Sequence, residues 1–235
     1  MENLVKKDFW RGRRVFVTGH TGFKGSWLSL WLNELGAKVT GYALPALKTP
    51  NLFHEARIEA TLSSIIGDIR NADHLAAEIF KSQPQTIFHL AAQPLVGEGY
   101  RDPVGTYSTN IMGTVNLLEA ARYCPELESV VIVTTDKCYE NRETLHSYCE
   151  SDPLGGRDPY SSSKACAEII AAAYRQSFFT GSTQTRLATA RAGNVIGGGD
   201  WAEDRLMPDL LRAFTNNVSA KLRNPNAIRP WQHVL

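Results

Sequence analysis

Arg13-Arg14-Val15-Phe16-Val17-Thr18-Gly19-His20-Thr21-Gly22-Phe23-Lys24-Gly25 is a β-branched, apolar run that passes straight into a Gly-x-x-Gly-x-x-Gly turn. Its first half predicts a buried strand over Arg13 to Thr18. The stripe that follows, Trp27, Leu28, Leu30, Trp31, Leu32 and Leu35, predicts a helix that Gly36 stops before a second strand, Lys38 to Ala43. Trp27 and Trp31 count as core on this pattern. In such a βαβ frame Gly19, Gly22 and Gly25 allow a tight turn and close backbone approach to a pyrophosphate, whose charge lies at the helix N-terminus. A dinucleotide site is expected here. Away from a strand-to-helix junction the same glycines would say little.

The alternation continues outward from this unit. Strands are predicted at Leu62 to Ile66, Thr86 to Leu90, Val130 to Thr134 and Thr185 to Arg191. Helices are predicted at Asn71 to Lys81, Val104 to Tyr123, Tyr160 to Phe178 and Asp204 to Phe214. The fold class is therefore α/β: a Rossmann-like, doubly wound parallel sheet with helices on both faces. Residues 1–193 are expected to form the dinucleotide-binding domain. Residues 194–235 begin a second lobe, and Arg229 to Leu235 (RPWQHVL) stops as if inside an element, so that lobe is expected to be incomplete.

Composition excludes several function classes. The chain has 235 residues, 43% hydrophobic and 21% charged, which suits a compact domain with a sizeable core. With 25 Lys and Arg against 24 Asp and Glu, it lacks the electrostatic footprint of a nucleic-acid or membrane-surface binder. Met1 to Arg14 has no signal-peptide core, no later run is long enough to span a bilayer, and the cytoplasm is the expected compartment. Cys124, Cys138, Cys149 and Cys166 show neither zinc-ligand nor disulfide-framework spacing, so no metal is expected and the thiols read as reduced packing residues.

Two stretches carry chemistry, Thr134-Thr135-Asp136-Lys137 and Tyr160-Ser161-Ser162-Ser163-Lys164. On a helix Tyr160 and Lys164 share a face, where the ammonium favours ionisation of a phenol that otherwise titrates near about 10. Tyr160 is thus a candidate general base and Lys164 its activator. Cofactor choice is open on motif grounds. The acid that often ends the second strand to meet the adenosine ribose is missing from Gly41-Tyr42-Ala43-Leu44-Pro45, and Lys24 could favour an extra phosphate. Asp68 either meets the adenine edge or caps the next helix. His89 reads as a packed strand-end histidine.

With the glycine loop, the alternating units, His89-Leu90-Ala91-Ala92, Asn110 and Tyr160/Lys164, the chain resembles the extended short-chain dehydrogenase/reductase superfamily. Within it, Thr135-Asp136-Lys137 resembles the triplet of nucleotide-sugar 4,6-dehydratases, in which Glu is commoner at the third position. Lys there, with GHTGFKG at 19–25, NVIGGGDW at 194–201 and Arg-Pro-Trp-Gln-His at 229–233, is similar to the CDP-glucose 4,6-dehydratases.

The resemblance implies NAD as cofactor, held by Gly19, Thr21, Gly22, Phe23, Lys24, Gly25, Asp68, Ile69, Leu90, Ala91, Ala92, Tyr160 and Lys164. It implies a sugar nucleotide, CDP-glucose, as substrate, contacted by Gln93, Asn194 and Arg229. Thr135 would hydrogen-bond the sugar O4. Asp136 suits an acid for the departing O6 if it is held protonated, and Lys137 suits a base at C5 if it is held neutral. An Asp136–Lys137 ion pair would oppose both roles, so a supporting electrostatic role for Lys137 stays open. A homo-oligomer, dimer or tetramer, is implied, with the Val104 to Tyr123 and Tyr160 to Phe178 helices able to form the contact. The alternatives are another sugar-nucleotide dehydratase, a 4-epimerase, or a catalytically inactive dinucleotide-binding regulator.

Overall fold

The computed structural model describes residues 6–46, 50–142, 146–181, 185–202, 204–222 and 225–235. Six parallel strands lie in the order β3-β2-β1-β4-β5-β6. They are β1 (Arg14–Thr18), β2 (Lys38–Ala43), β3 (Ser63–Ile66), β4 (Thr86–His89), β5 (Ser129–Val133) and β6 (Arg186–Ala190). The order reverses at β1, which pairs with β2 on one side (Val15↔Val39) and β4 on the other (Val15↔Thr86). That reversal opens a crevice at the carboxyl ends of the strands, where ligands of such sheets bind.

The helices, in chain order, are α1 (Lys7–Trp10), α2 (Phe23–Glu34), α3 (Leu52–Glu55), α4 (Ala72–Ser82), α5 (Val96–Arg101), α6 (Pro103–Tyr107), α7 (Gly113–Arg122), α8 (Pro159–Ser177) and α9 (Leu206–Thr215). β1 is buried on both faces because helices cover both. Val15 and Val17 pack with Leu28, Leu32 and Val39 on one side, and Phe16 packs with Tyr42, Leu75, Ile79, Leu117 and Leu118 on the other. The expected doubly wound sheet is what the chain forms.

Three features depart from the sequence reading. The single helix expected over Val104 to Tyr123 is α6 and α7 joined through a π-turn, Ser108–Met112. Asn110 explains the turn: its side chain accepts from Gln93 N (2.8 Å) and donates to Gln93 O (3.1 Å) and Ser163 Oγ (2.8 Å), a set of local bonds that the widened turn serves. Trp31 is not core; it is 40% exposed, while Trp27 is partly buried against the later chain. A short parallel pair, β7 (Asn194–Ile196) with β8 (Trp231–His233), joins two segments that local pattern left apart.

His89 is the packed histidine expected. Its Nδ1 meets Thr18 Oγ1 at 2.7 Å and its Nε2 meets Thr114 Oγ1 at 3.3 Å, tying β4 to β1 and α7. Burial, followed by the nearby Lys164 charge, pushes its pKa from 6.5 to about 3, and burial pushes His20 to about 4. In both cases the folded value lies below the unfolded one. The stability they contribute is therefore complete above pH 6.5 and is lost as pH falls toward the folded values, by up to about 1.4 kcal/mol per pH unit each. Urea unfolding at about pH 7.5 and about pH 5.5 is expected to show this loss, with a shallower slope in His89→Gln.

Candidate active site

Tyr160 stands in the first turn of α8. Asp158 caps that helix, accepting from Ser161 N at 2.9 Å and from Ser161 Oγ at 2.5 Å, and Pro159 fills its first position. One turn on, the buried Lys164 donates to Val133 O at 3.2 Å. One further turn on lies Glu168, 4% exposed at its side chain, which accepts from Thr134 Oγ1, from Thr189 Oγ1 (2.8 Å) and from Arg191 Nη2 (3.0 Å). A single helix face thus presents a phenol, an ammonium and a carboxylate to the ends of β5 and β6.

β5 delivers the second stretch. After Thr134 N bonds Ala190 O at 2.8 Å, the chain turns through a 3-10 element, Asp136–Cys138, capped by Thr135. Thr135 Oγ1 donates to Asp136 Oδ1 at 3.0 Å, and the same hydroxyl pulls the Tyr160 pKa down. Lys137 Nζ lies 5.9 Å from the centre of the Tyr160 ring. Among the described residues no ion pair joins Asp136 to Lys137.

Charge around the phenol differs from expectation. Burial pushes Tyr160 above the ordinary tyrosine range, more than the Thr135 hydrogen bond and the Arg205 charge pull it down. Lys164 is not among the charges that bear on the phenol, and its ammonium donates to the Val133 carbonyl. Lys164 itself is lowered to about 8, by burial first and then by the like charge of Lys24. Cys138 is fully buried and its thiol is pushed up to about 11, as suits a packing residue.

The glycine turn faces this group across one cleft of about 2920 Å³. Gly19 has φ +78° and sits so close to β4 that a Cβ would lie 2.7 Å from Ala91 N; a Cβ on Gly25 would lie 2.0 Å from Gly19 O. Gly22 caps α2 without a side chain, which leaves the first-turn N–H groups to an external partner. Thr21 Oγ1 donates to Leu44 O at 2.9 Å, tying the turn to the exit of β2.

The cleft brings together Gly19, Thr21, Gly22, Phe23, Lys24, Gly25, Asp68, Ile69, Leu90, Ala91, Ala92, Thr135, Asp136, Lys137, Tyr160, Asn194 and Arg229. Lys164 lies beneath its wall. Pairing of β7 with β8, with Asn194 N bonded to Pro230 O at 2.9 Å, is what sets Asn194 beside Arg229.

Two expectations need correction. Gln93 does not line the cleft: its Oε1 accepts from Leu95 N (2.6 Å) and its Nε2 donates to Thr106 Oγ1 (2.8 Å), so its amide holds the β4 exit loop instead of a ligand. Asp68 is no helix cap, since Asn71 takes that place by accepting from His74 N at 3.1 Å. The Asp68 carboxylate instead pairs with Arg70 (Nη2 at 2.5 Å), whose hydrogen bonds hold it below the usual carboxylate range. Sequence reasoning missed Glu168 and Arg191, although Glu168 repeats the Tyr160/Lys164 spacing once more along α8.

A switch-point crevice with a glycine turn on one wall and a helix face carrying Tyr160 and the buried Lys164 on the other defines a dinucleotide fold of the short-chain dehydrogenase/reductase superfamily. The chain belongs to the GDP-mannose 4,6 dehydratase family, whose model matches residues 16–235. It is 56% identical over 236 residues, 99% of this chain, to a CDP-glucose 4,6-dehydratase of Salmonella typhimurium, and spans 66% of that relative's length. Among solved structures it is similar to a dTDP-glucose 4,6-dehydratase of Streptomyces venezuelae bound to NAD, with a TM-score of 0.81 at 26% identity over 94% of this chain and 68% of that one. A dTDP-glucose 4,6-dehydratase of Bacillus anthracis in complex with NAD gives a TM-score of 0.80 at 26% identity, over 95% and 68% of the two chains.

Proposed function

We propose that this chain carries the dinucleotide-binding and catalytic part of a lyase that converts CDP-glucose to CDP-4-keto-6-deoxyglucose, an enzyme of deoxysugar biosynthesis in the polysaccharide (lipopolysaccharide) class, with NAD as resident cofactor. The observation that carries the reading is the setting of Thr135, Asp136 and Lys137 against Tyr160, in the same cleft as the glycine turn. The 56% identical relative named for this reaction supports the choice of sugar nucleotide.

The residues fit the cofactor. The side-chain-free N-terminus of α2 suits a pyrophosphate, Asp68 and the Ile69 backbone suit the adenine edge, and Leu90 to Ala92 form the adjoining wall, while Tyr160 and Lys164 suit the nicotinamide ribose. NAD supplies, when bound, an acceptor for hydride from C4 of the sugar and its return to C6. Tyr160 takes the proton from O4 as C4 is oxidised. Thr135, whose hydroxyl donates to Asp136 Oδ1 at 3.0 Å, turns it to O4 as the carbonyl forms. The ketone acidifies C5; Lys137 in its neutral form takes the C5 proton, and Asp136 in its protonated form gives a proton to O6, which leaves as water. Asn194 and Arg229 hold the diphosphate. Because no ion pair ties Asp136 to Lys137 among the described residues, the two can act as separate acid and base.

Residues 194–235 begin the sugar-nucleotide lobe in this reading, and the working form is a cytoplasmic homo-oligomer, a dimer or tetramer, built on α7 and α8. Among the described residues no helix is long and apolar enough to cross a membrane. The decisive experiment supplies the protein with CDP-glucose deuterated at C4. Deuterium at C6 of a 4-keto-6-deoxy product is expected; turnover that leaves the C6 oxygen in place would replace dehydration with epimerisation.

A further inference from the structure

The Gly197-Gly198-Gly199 run leaves β7 and crosses the first turns of α2. A Cβ on Gly197 would lie 3.3 Å from Phe23 Cζ and 2.6 Å from Val234 Cγ1; Gly199, at φ +87°, is so close to α3 that a Cβ would meet Leu52 Cβ at 2.8 Å. Between them Gly198 has open space around it, and its carbonyl accepts from Trp27 Nε1 at 2.8 Å. Just beyond, Asp200 and Arg205 form an ion pair (2.9 Å), and the Arg205 charge bears on both Lys24 and Tyr160. Gly197, Asp200 and Arg205 line the same cleft as Gly22 and Lys24.

We infer that Trp27 is a positioning residue that fastens this glycine strap across the phosphate-binding turn and so governs how long a dinucleotide stays bound. The inference rests on the reading of the cleft as an NAD site. A tri-glycine segment has high conformational freedom, so something outside it must hold its position. The indole N–H is a donor with no acceptor capacity, and it sits about one helical turn beyond Phe23, where the strap passes. The bond joins the helix that would receive the cofactor phosphates to the segment that follows Asn194, whose Gly197 lines the cleft together with Gly22. A cofactor regenerated in each turnover has no need to leave, which is consistent with a built-in fastening.

The test uses the full chain and reads NAD release directly, by dilution of the loaded protein into a trap that consumes free NAD. Trp27→Phe keeps the apolar ring and removes the donor; it is expected to speed release about tenfold, the loss of one well-made hydrogen bond. Affinity for adenosine, which has no phosphate, is expected to be unchanged, and the thermal midpoint of the cofactor-free chain is expected to fall by only about 2–4 °C, the loss of one hydrogen bond. Gly199→Ala displaces the strap from the Leu52 side without altering α2 and is expected to speed release as well. Unchanged release in both variants overturns the inference, and so does an equal loss of adenosine affinity, which would mean general damage to the nucleotide fold. If the wild-type chain holds NAD and the variants release it faster, but CDP-glucose gives no C4-to-C6 transfer, the strap stands and the dehydratase reading falls. If the wild-type chain binds no NAD, both fall.

Discussion

Tyr160→Phe is expected to lower kcat by about 10²–10⁴-fold, the usual worth of a positioned proton-transfer group. The substitution removes one oxygen and leaves the ring, so the stability cost is expected to be at most about 1 kcal/mol. KM for the sugar nucleotide is expected to change little, because in the proposed reaction the phenol acts on O4 as charge develops there. The pH dependence gives a second readout. Burial raises the phenol above its ordinary range, so the active phenolate becomes more populated as pH rises, and kcat/KM for the wild-type chain is expected to climb through neutral pH. Steady-state assays of 4-keto product across pH check both points. A Tyr160→Phe variant with wild-type turnover, or with the same climbing profile, would remove Tyr160 from the reaction.

Glu168→Ala is expected to carry the largest stability cost. The carboxylate is 4% exposed at its side chain and Arg191 16%, and the pair is completed by Thr134 and Thr189. Removing one partner of such a buried pair leaves the other charge uncompensated, a cost of about 3–5 kcal/mol. For a chain of this size that is a fall of roughly 6–20 °C in Tm, measurable by calorimetry or circular dichroism. Glu168→Gln, which retains an acceptor for the hydroxyls, is expected to lose less.

The same group predicts acid sensitivity. Burial raises the Glu168 carboxyl, but hydrogen bonds from Arg191, Thr134 and Thr189 and the Arg191 charge outweigh it and hold the folded value below 4.5. Its stabilisation is complete above that pH and is lost as pH falls through the lowered folded value, a range that overlaps only the acid end of the one in which the buried histidines act. The site is affected too. Thr134 leads directly into Thr135-Asp136-Lys137, so Glu168 anchors the strand end that aims the turn at Tyr160.

The sheet could be read from the chain because its signals are local and repeated. A β-branched run ending in a glycine turn predicted β1, a helix stopped by Gly36 set the start of β2, and the helices expected over Asn71 to Lys81 and Tyr160 to Phe178 fall within a residue or two of α4 and α8. The Tyr160/Lys164 face was legible for the same reason, since four residues along a helix set a direction without knowledge of the rest of the fold. What was not legible involved partners distant in sequence. Gln93 looked like a ligand contact beside the Ala91-Ala92 wall, but its amide is satisfied by Thr106 and Leu95. Trp27 and Trp31 belong to one stripe, yet one meets Gly198 and the other meets solvent.

Electrostatics marks the boundary most clearly. Spacing places Lys164 beside Tyr160, and a cation near a phenol lowers its pKa if the charge faces the oxygen. In the fold the ammonium bonds the end of β5 and burial governs the phenol, so the direction reverses. Residue order and periodicity were sufficient for a dinucleotide fold with a Tyr/Lys helix and a Thr-Asp-Lys turn, because hydrophobic period and glycine placement act over a few residues. The juxtaposition of Asn194 with Arg229, the Glu168–Arg191 anchor and the Trp27 fastening depend on contacts across 23 to 171 positions. Those contacts exist only when the sheet and the β7–β8 pair have formed, since desolvation and long-range hydrogen bonds are properties of the packed chain.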